Sequence, residues 1–153
     1  MPDTPATAPD FTLPASVGGE VTLSALRGAP VVLFFYPRDD TSGCTKEAVA
    51  FTGLKDAFEA AGVKVFGISK DSLASHDKFA AKHDLDVGLL SDERSDVCES
   101  FGVWKEKKMY GKTFWGIERS TFLIDAEGRI AREWRKVKVP GHAEEVLEAA
   151  KAL

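Results

Sequence analysis

Cys44 stands where a cysteine can react. It follows the apolar run Pro30–Tyr36 and the polar turn 37–43, and it opens a long stretch of helical periodicity. The first turn of a helix has unpaired backbone N–H groups and a partial positive charge. A thiol there is expected to ionise more easily, because the thiolate gains more than the thiol. Thr41 or Ser42 is placed to cap that helix. Position alone leaves two readings of Cys44 open: a nucleophile, or the inert buried residue that free cysteines more often become.

The neighbouring residues favour the nucleophile. The segment reads Tyr36-Pro37-Arg38-Asp39-Asp40-Thr41-Ser42-Gly43-Cys44-Thr45-Lys46-Glu47, and further on come Lys107-Lys108-Met109-Tyr110-Gly111-Lys112 and the stretch from Gly116 through Arg119 to Asp125. The spacing Pro37, Thr41, Cys44 resembles the active-site pattern of peroxiredoxins, and the three stretches together are similar to the peroxiredoxin Q subfamily, also called bacterioferritin comigratory proteins. The resemblance implies a thiol peroxidase that reduces hydrogen peroxide and organic hydroperoxides. It transfers catalysis to Pro37, Thr41, Cys44 and Arg119, and to Glu47 a supporting role in orienting the arginine.

The chemistry needs such residues. A thiolate attacks one peroxide oxygen in line with the O–O bond, and the distal oxygen leaves as hydroxide or alkoxide. That requires an ionised thiol, donors on the oxygens and an aligned substrate. Thr41, three residues before Cys44, can bring its hydroxyl beside the sulfur. Arg119 brings a permanent charge and several rigid donors. Pro37 has no N–H and can shield the sulfur without a competing donor. Taken singly, each has a plainer reading: a strand terminator, a cap, a surface ion pair with Glu118 or Asp125, an exposed helix charge.

Attack turns Cys44 into a sulfenic acid, which a second thiol must recycle. Subfamily members often carry a resolving cysteine five or thirty-six residues further on. Here those positions hold Val49 and Ala80, and the only other thiol is Cys98. Cys98 shares a face of a short helix with Phe101 and reads as a packed structural residue. Recycling is therefore expected from outside the chain, by thioredoxin, glutaredoxin or a small thiol. The alternatives are a two-cysteine mechanism with Cys98 resolving, and a non-enzymatic sensor that relays oxidation to a partner protein. A thioredoxin-like disulfide exchanger would need Cys-x-x-Cys, but Glu47 occupies that position. No metal, haem or flavin cofactor is implied.

The elements that position these residues follow from periodicity. Phe11–Leu13 and Glu20–Leu23 read as short strands around a Gly18-Gly19 turn, and Ser24–Arg27 as one helical turn. Pro30–Tyr36, apolar on both sides, belongs mid-sheet. Thr45–Ala61 is helical, with Ala50, Leu54, Ala57, Phe58 and Ala61 on one face and Gly62 as the stop. A strand over Val63–Ser69, a helix over Ser72–His83 with Phe79 and Ala80 inward, a strand over Val87–Leu90 and a short helix over Ser95–Phe101 follow. Strands over Ser120–Asp125 and Arg129–Arg135, joined at Gly128, precede a closing helix, His142–Leu153. The fold class is α/β: a thioredoxin-like fold of peroxiredoxin type, with a central mixed sheet, helices on both faces and an N-terminal β extension. His76 and His83 read as surface residues. Lys105, Lys107, Lys108 and Lys112 read as a solvated rim, or else as a source of positive potential or a reductant-docking patch. Trp104, Phe114 and Trp115 read as pocket wall or core.

Composition bounds the rest. The chain has 153 residues, 44% of them hydrophobic and 29% charged, which suits one domain over 1–153 with an extended arm over 1–10. A net charge of −4 argues against nucleic acid as a partner, and the longest apolar run, Val31–Tyr36, is too short to cross a bilayer. Two cysteines and three scattered histidines make neither a disulfide framework nor a zinc site. The N-terminus lacks the basic start and apolar core of a secretory signal, so a reducing cytoplasm is expected. Relatives suggest a monomer.

Overall fold

The computed structural model describes residues 6–16 and 18–153. Its centre is a five-stranded sheet. Strands β3 (Val31–Phe35), β4 (Lys64–Ser69) and β5 (Gly88–Ser91) pair in parallel, and β8 (Ser120–Ile124) and β9 (Ile130–Trp134) add antiparallel strands beyond β3. The spatial order is β5-β4-β3-β8-β9. Every residue of β3 is buried, as its unbroken apolar run requires of a strand covered on both faces.

Alternation along β3 divides the core in two. Val32, Phe34 and Tyr36 point into one cluster, beneath α1 (Ser42–Gly53), α2 (Lys55–Ala60), α3 (Leu73–His83) and α5 (His142–Lys151). Val31, Leu33 and Phe35 point into the other, covered by the N-terminal hairpin β1 (Thr12–Pro14) and β2 (Glu20–Thr22) and by α4 (Val97–Ser100). Cys44 belongs to the first cluster and Cys98 to the second, so the sheet separates the two thiols.

Most expected elements are present within a residue or two, and the strand and helix order fits the thioredoxin-like class. Of the expected arm, residues 1–5 lie outside the described residues, and Thr7 bridges Arg129. Four expectations need correction. The helix expected over Thr45–Ala61 starts at Ser42 and is interrupted at Leu54, just after Gly53, a poor helix former. A two-stranded hairpin, β6 (Trp104–Met109) and β7 (Lys112–Ile117), occupies a stretch where no strand was expected. Its tip, Tyr110-Gly111, has positive φ at both residues (54° and 75°), as a tight two-residue hairpin turn demands. On that hairpin Trp104 packs against the core, but Phe114 and Trp115 are 42% and 57% exposed and so are neither pocket wall nor core.

The fourth correction concerns His76, which is fully buried rather than on the surface. His76, Phe79 and His83 recur at helical spacing on one side of α3, and Phe79 is core. His83 keeps partial exposure, packs edge-on against Phe79 and pairs with Asp40 at 2.8 Å.

Candidate active site

The site begins where β3 ends. Tyr36 is buried and Pro37 and Arg38 are exposed, while Asp39 turns inward and is buried again. Asp39 Oδ1 accepts from the Tyr36 hydroxyl at 2.6 Å, and Oδ2 accepts from Ser75 Oγ at 2.8 Å and lies 2.7 Å from His76 Nδ1. His76 Nε2 lies 2.9 Å from the Leu90 carbonyl, and the Asp39 backbone N–H donates to Asp71 Oδ2 at 2.8 Å. Asp40, at φ 57°, accepts from Lys82 at 2.7 Å. These bonds pin the segment that delivers Thr41 and Cys44 onto α3. Asp39, Asp71 and His76 also offer three potential metal-ligand atoms within 4.8 Å of one another. Each of these side chains is already engaged by protein partners, so the cluster reads as a support for the active-site segment.

Thr41 is the N-cap of α1 by backbone geometry, and its carbonyl accepts from the Thr45 N–H at 2.8 Å. Its side chain makes no capping bond. The hydroxyl instead donates to the Arg38 carbonyl at 2.9 Å, which fixes its direction and leaves its lone pairs able to accept. Cys44 falls in the first turn of α1 and is 1% exposed.

Arg119 lies between β7 and β8 and reaches across to α1. Its Nη2 donates to Cys44 Sγ at 3.3 Å and its Nη1 to Glu47 Oε1 at 2.7 Å. Gly43 lets the guanidinium pass, since a Cβ there would lie 3.1 Å from Arg119 Nη2. Burial opposes the Arg119 charge, but Glu47 and Cys44 more than offset it, so its pKa rises above the ordinary value. Glu47 is 1% exposed, and its second oxygen, Oε2, has no protein partner. Burial pushes the Glu47 carboxyl up to about 7, against the pull of Arg119.

That shift has a measurable sign. Glu47 binds its proton more tightly in the folded chain, so its contribution to stability is fully present below its ordinary pKa of 4.5 and is lost as pH rises through about 7. Glu47→Gln retains an acceptor for Arg119 but cannot ionise. Urea unfolding from pH 5 to pH 8.5 should show the variant gaining stability relative to the parent as pH rises. An unchanged difference across that range would place the Glu47 carboxyl at an ordinary value.

Of the residues singled out from the sequence, the structure thus joins Cys44, Arg119 and Glu47 through direct contacts, with Thr41 on the same turn and Pro37 on the exposed approach to it. Glu118 and Asp125, the surface partners considered for Arg119, do not pair with it. The sequence reading missed one support and left another undecided. One is the Asp39–His76 set, signalled by the shared face of His76 and Phe79. The other is Lys107, read as solvated rim or as a source of positive potential, which is a half-buried lysine whose Nζ donates to the Ile117 carbonyl. Its pKa is lowered first by burial and then by Arg119, while Cys44 acts in the opposite sense.

The AhpC/TSA family matches residues 5–133. The chain belongs to the peroxiredoxins of that family. It is thereby a thiol-dependent peroxidase. Peroxiredoxin Bcp of Xanthomonas campestris is 49% identical over 148 residues, spanning 97% of this chain and 92% of that protein. Peroxiredoxin Bcp of Bacillus subtilis is 48% identical over 144 residues, spanning 94% and 92%. A solved structure of the Xanthomonas campestris bacterioferritin comigratory protein, a trapped intermediate or ligand complex from work on its alkyl peroxide reduction activity, superposes with a TM-score of 0.88 at 48% identity, covering 93% of this chain and 90% of that one.

Within this peroxiredoxin, Cys98 has a different setting from Cys44. It is wholly buried, and burial together with Asp92 pushes its thiol above the usual range. Asp92 also accepts from the Cys98 backbone N–H at 2.8 Å and pairs with Lys70 at 3.3 Å. Val49 is 46% exposed on α1, and Ala80 is partly buried on α3. No helix among the described residues is long and apolar enough to cross a membrane.

Proposed function

We propose that Cys44 is the peroxidatic residue and that an external thiol recycles it. The observation that carries this reading is the Arg119 guanidinium, bonded at once to Cys44 Sγ and Glu47 Oε1. The Cys44 thiolate attacks one oxygen of ROOH, an S–O bond forms as the O–O bond breaks, and Cys44–SOH and RO⁻ result. Arg119 stabilises the thiolate and then the developing negative charge on oxygen. Thr41, with its hydroxyl directed at Arg38, presents lone pairs that accept a hydrogen bond from the peroxide O–H, and that proton stays on the oxygen that becomes the sulfenic acid. Pro37 offers no N–H to compete for the sulfur or the peroxide. Glu47 holds the guanidinium in plane.

Hydrogen peroxide and organic hydroperoxides both fit, in line with the alkyl peroxide reduction described for the Xanthomonas protein. The reductant is thioredoxin, glutaredoxin or a small thiol. Cys98 plays no resolving part, because its thiol is held protonated on the far face of the sheet and the thiolate is the attacking form. The reading takes the chain as one domain, acting as a monomer in a reducing cytoplasm.

Turnover distinguishes this enzyme from a sensor. With a reducing thiol in excess, each equivalent of protein should consume many equivalents of peroxide. Consumption that stops near one equivalent would favour the sensor.

A further inference from the structure

The hairpin β6–β7 has a face that the peroxide chemistry does not use. Directly opposed residues share a face of a β-ribbon, so the register sorts its side chains. Lys105 with Gly116, Lys107 with Phe114 and Met109 with Lys112 form one face, whereas Glu106 with Trp115 and Lys108 with Thr113 form the other. The first face therefore carries three lysines, two apolar side chains and no acid. Phe114 and Met109 on it are 42% and 56% exposed. Residues 104–117 hold four lysines against one glutamate, in a chain whose net charge is −4. A locally basic, apolar surface on an acidic protein is the footprint of a partner.

Lys107 ties this face to the site. Its stem lies across Gly116, where an added Cβ would meet Lys107 Cδ and Cε at 3.5 and 3.6 Å. Its ammonium donates to the Ile117 carbonyl, two residues before Arg119. The face thus opens beside the Arg119–Cys44 contact.

We propose that this face docks an acidic protein dithiol that reduces oxidised Cys44. The inference rests on the sulfenic-acid cycle above and names the surface that serves its second half. Cys44 is 1% exposed, so a thiol borne on a protein must seat against flanking surface to reach it. Lys105 and Lys112 attract an acidic rim, and Phe114 and Met109 supply the apolar centre of the contact. One partner thiolate attacks the Cys44 sulfur, and the departing oxygen leaves as water after taking up protons. The partner's second thiolate then attacks the mixed disulfide, releases the Cys44 thiolate and leaves the partner oxidised.

The test separates the half-reactions. Parent protein, Lys105→Glu/Lys112→Glu and Phe114→Ser are each oxidised with one equivalent of hydrogen peroxide, then reduced in stopped flow by thioredoxin, by glutaredoxin or by dithiothreitol. The charge-reversed variant should be reduced at least tenfold more slowly by the better protein dithiol and should lose the salt sensitivity that the parent shows. Phe114→Ser should slow several-fold with its salt sensitivity intact. Oxidation by peroxide and reduction by dithiothreitol should stay within twofold of the parent in both. Parent-like reduction of both variants by the protein dithiols overturns the proposal. So does a parallel loss of peroxide oxidation, which would assign the face to substrate, and so does a parent protein that only dithiothreitol reduces. A parent protein that forms no sulfenic acid on Cys44 is detected before any reductant is added, and it overturns the catalytic reading itself.

Discussion

Cys44→Ser should abolish peroxide reduction. An alcohol is scarcely ionised near neutrality, so the variant keeps the shape of the site and loses its nucleophile. Nothing else in the site can substitute. Thr41 is another alcohol, and Cys98 lies in the opposite core cluster with its thiol held protonated. Stopped-flow peroxide consumption should show no reaction above background for Cys44→Ser, and a first step close to the parent's for Cys98→Ser. Appreciable consumption by Cys44→Ser would remove Cys44 from the mechanism.

Arg119→Lys should slow oxidation of Cys44 by about a hundredfold, the usual loss when a fixed donor to a developing oxyanion is removed. The charge remains, but the geometry does not. Arg119 uses two nitrogens, Nη2 at 3.3 Å from Cys44 Sγ and Nη1 at 2.7 Å from Glu47 Oε1. A lysine ammonium is a single point on a flexible stem and cannot hold both in one plane. Arg119→Ala is the less clean experiment, because it also takes away the hydrogen-bond partner of the buried Glu47 carboxyl and so changes the protonation of the site. Second-order rate constants with hydrogen peroxide, measured well below the melting temperature, decide the matter. A rate for Arg119→Lys within twofold of the parent would reduce Arg119 to a structural ion pair.

The parts of this molecule that could be read from its sequence are those whose signal is local. The apolar, β-prone run Val31–Tyr36 read as a central strand, and Cys44 after a polar turn read as the opening of a helix. The motif that carries the resemblance compresses Pro37, Thr41 and Cys44 into eight residues. Arg119 was legible only through resemblance, because it meets Glu47 across 72 residues of chain and no periodicity records such a contact. The hairpin β6–β7 escaped notice for a different reason. Both of its faces are largely exposed, so the alternation of apolar and polar residues that marks a half-buried strand is missing from Trp104–Met109. His76 was misread although its spacing from Phe79 placed it on the buried side of α3. Its polarity is satisfied by Asp39 and the Leu90 carbonyl, partners that only the folded chain brings within reach.

The placement of the two cysteines on opposite faces of the sheet was likewise invisible in the sequence, and it bears most on the recycling step. β3 carries Val32 and Phe34 into the cluster of Cys44, and Leu33 and Phe35 into that of Cys98. A disulfide requires Cα atoms within about 7 Å. Joining these sulfurs would unwind at least one helix terminus and draw a buried thiol out of its core cluster. The sulfenic acid should therefore persist until an external thiol arrives, and excess peroxide should drive it on to sulfinic acid. The most direct measurement is the intact mass and peptide map of the reduced protein after one equivalent of peroxide, trapped with a sulfenic-acid reagent. A reagent adduct on Cys44 with Cys98 still a free thiol is the predicted result. Loss of both thiols, a mass lower by about two hydrogens and a Cys44–Cys98 peptide would contradict it and make Cys98 the resolving residue.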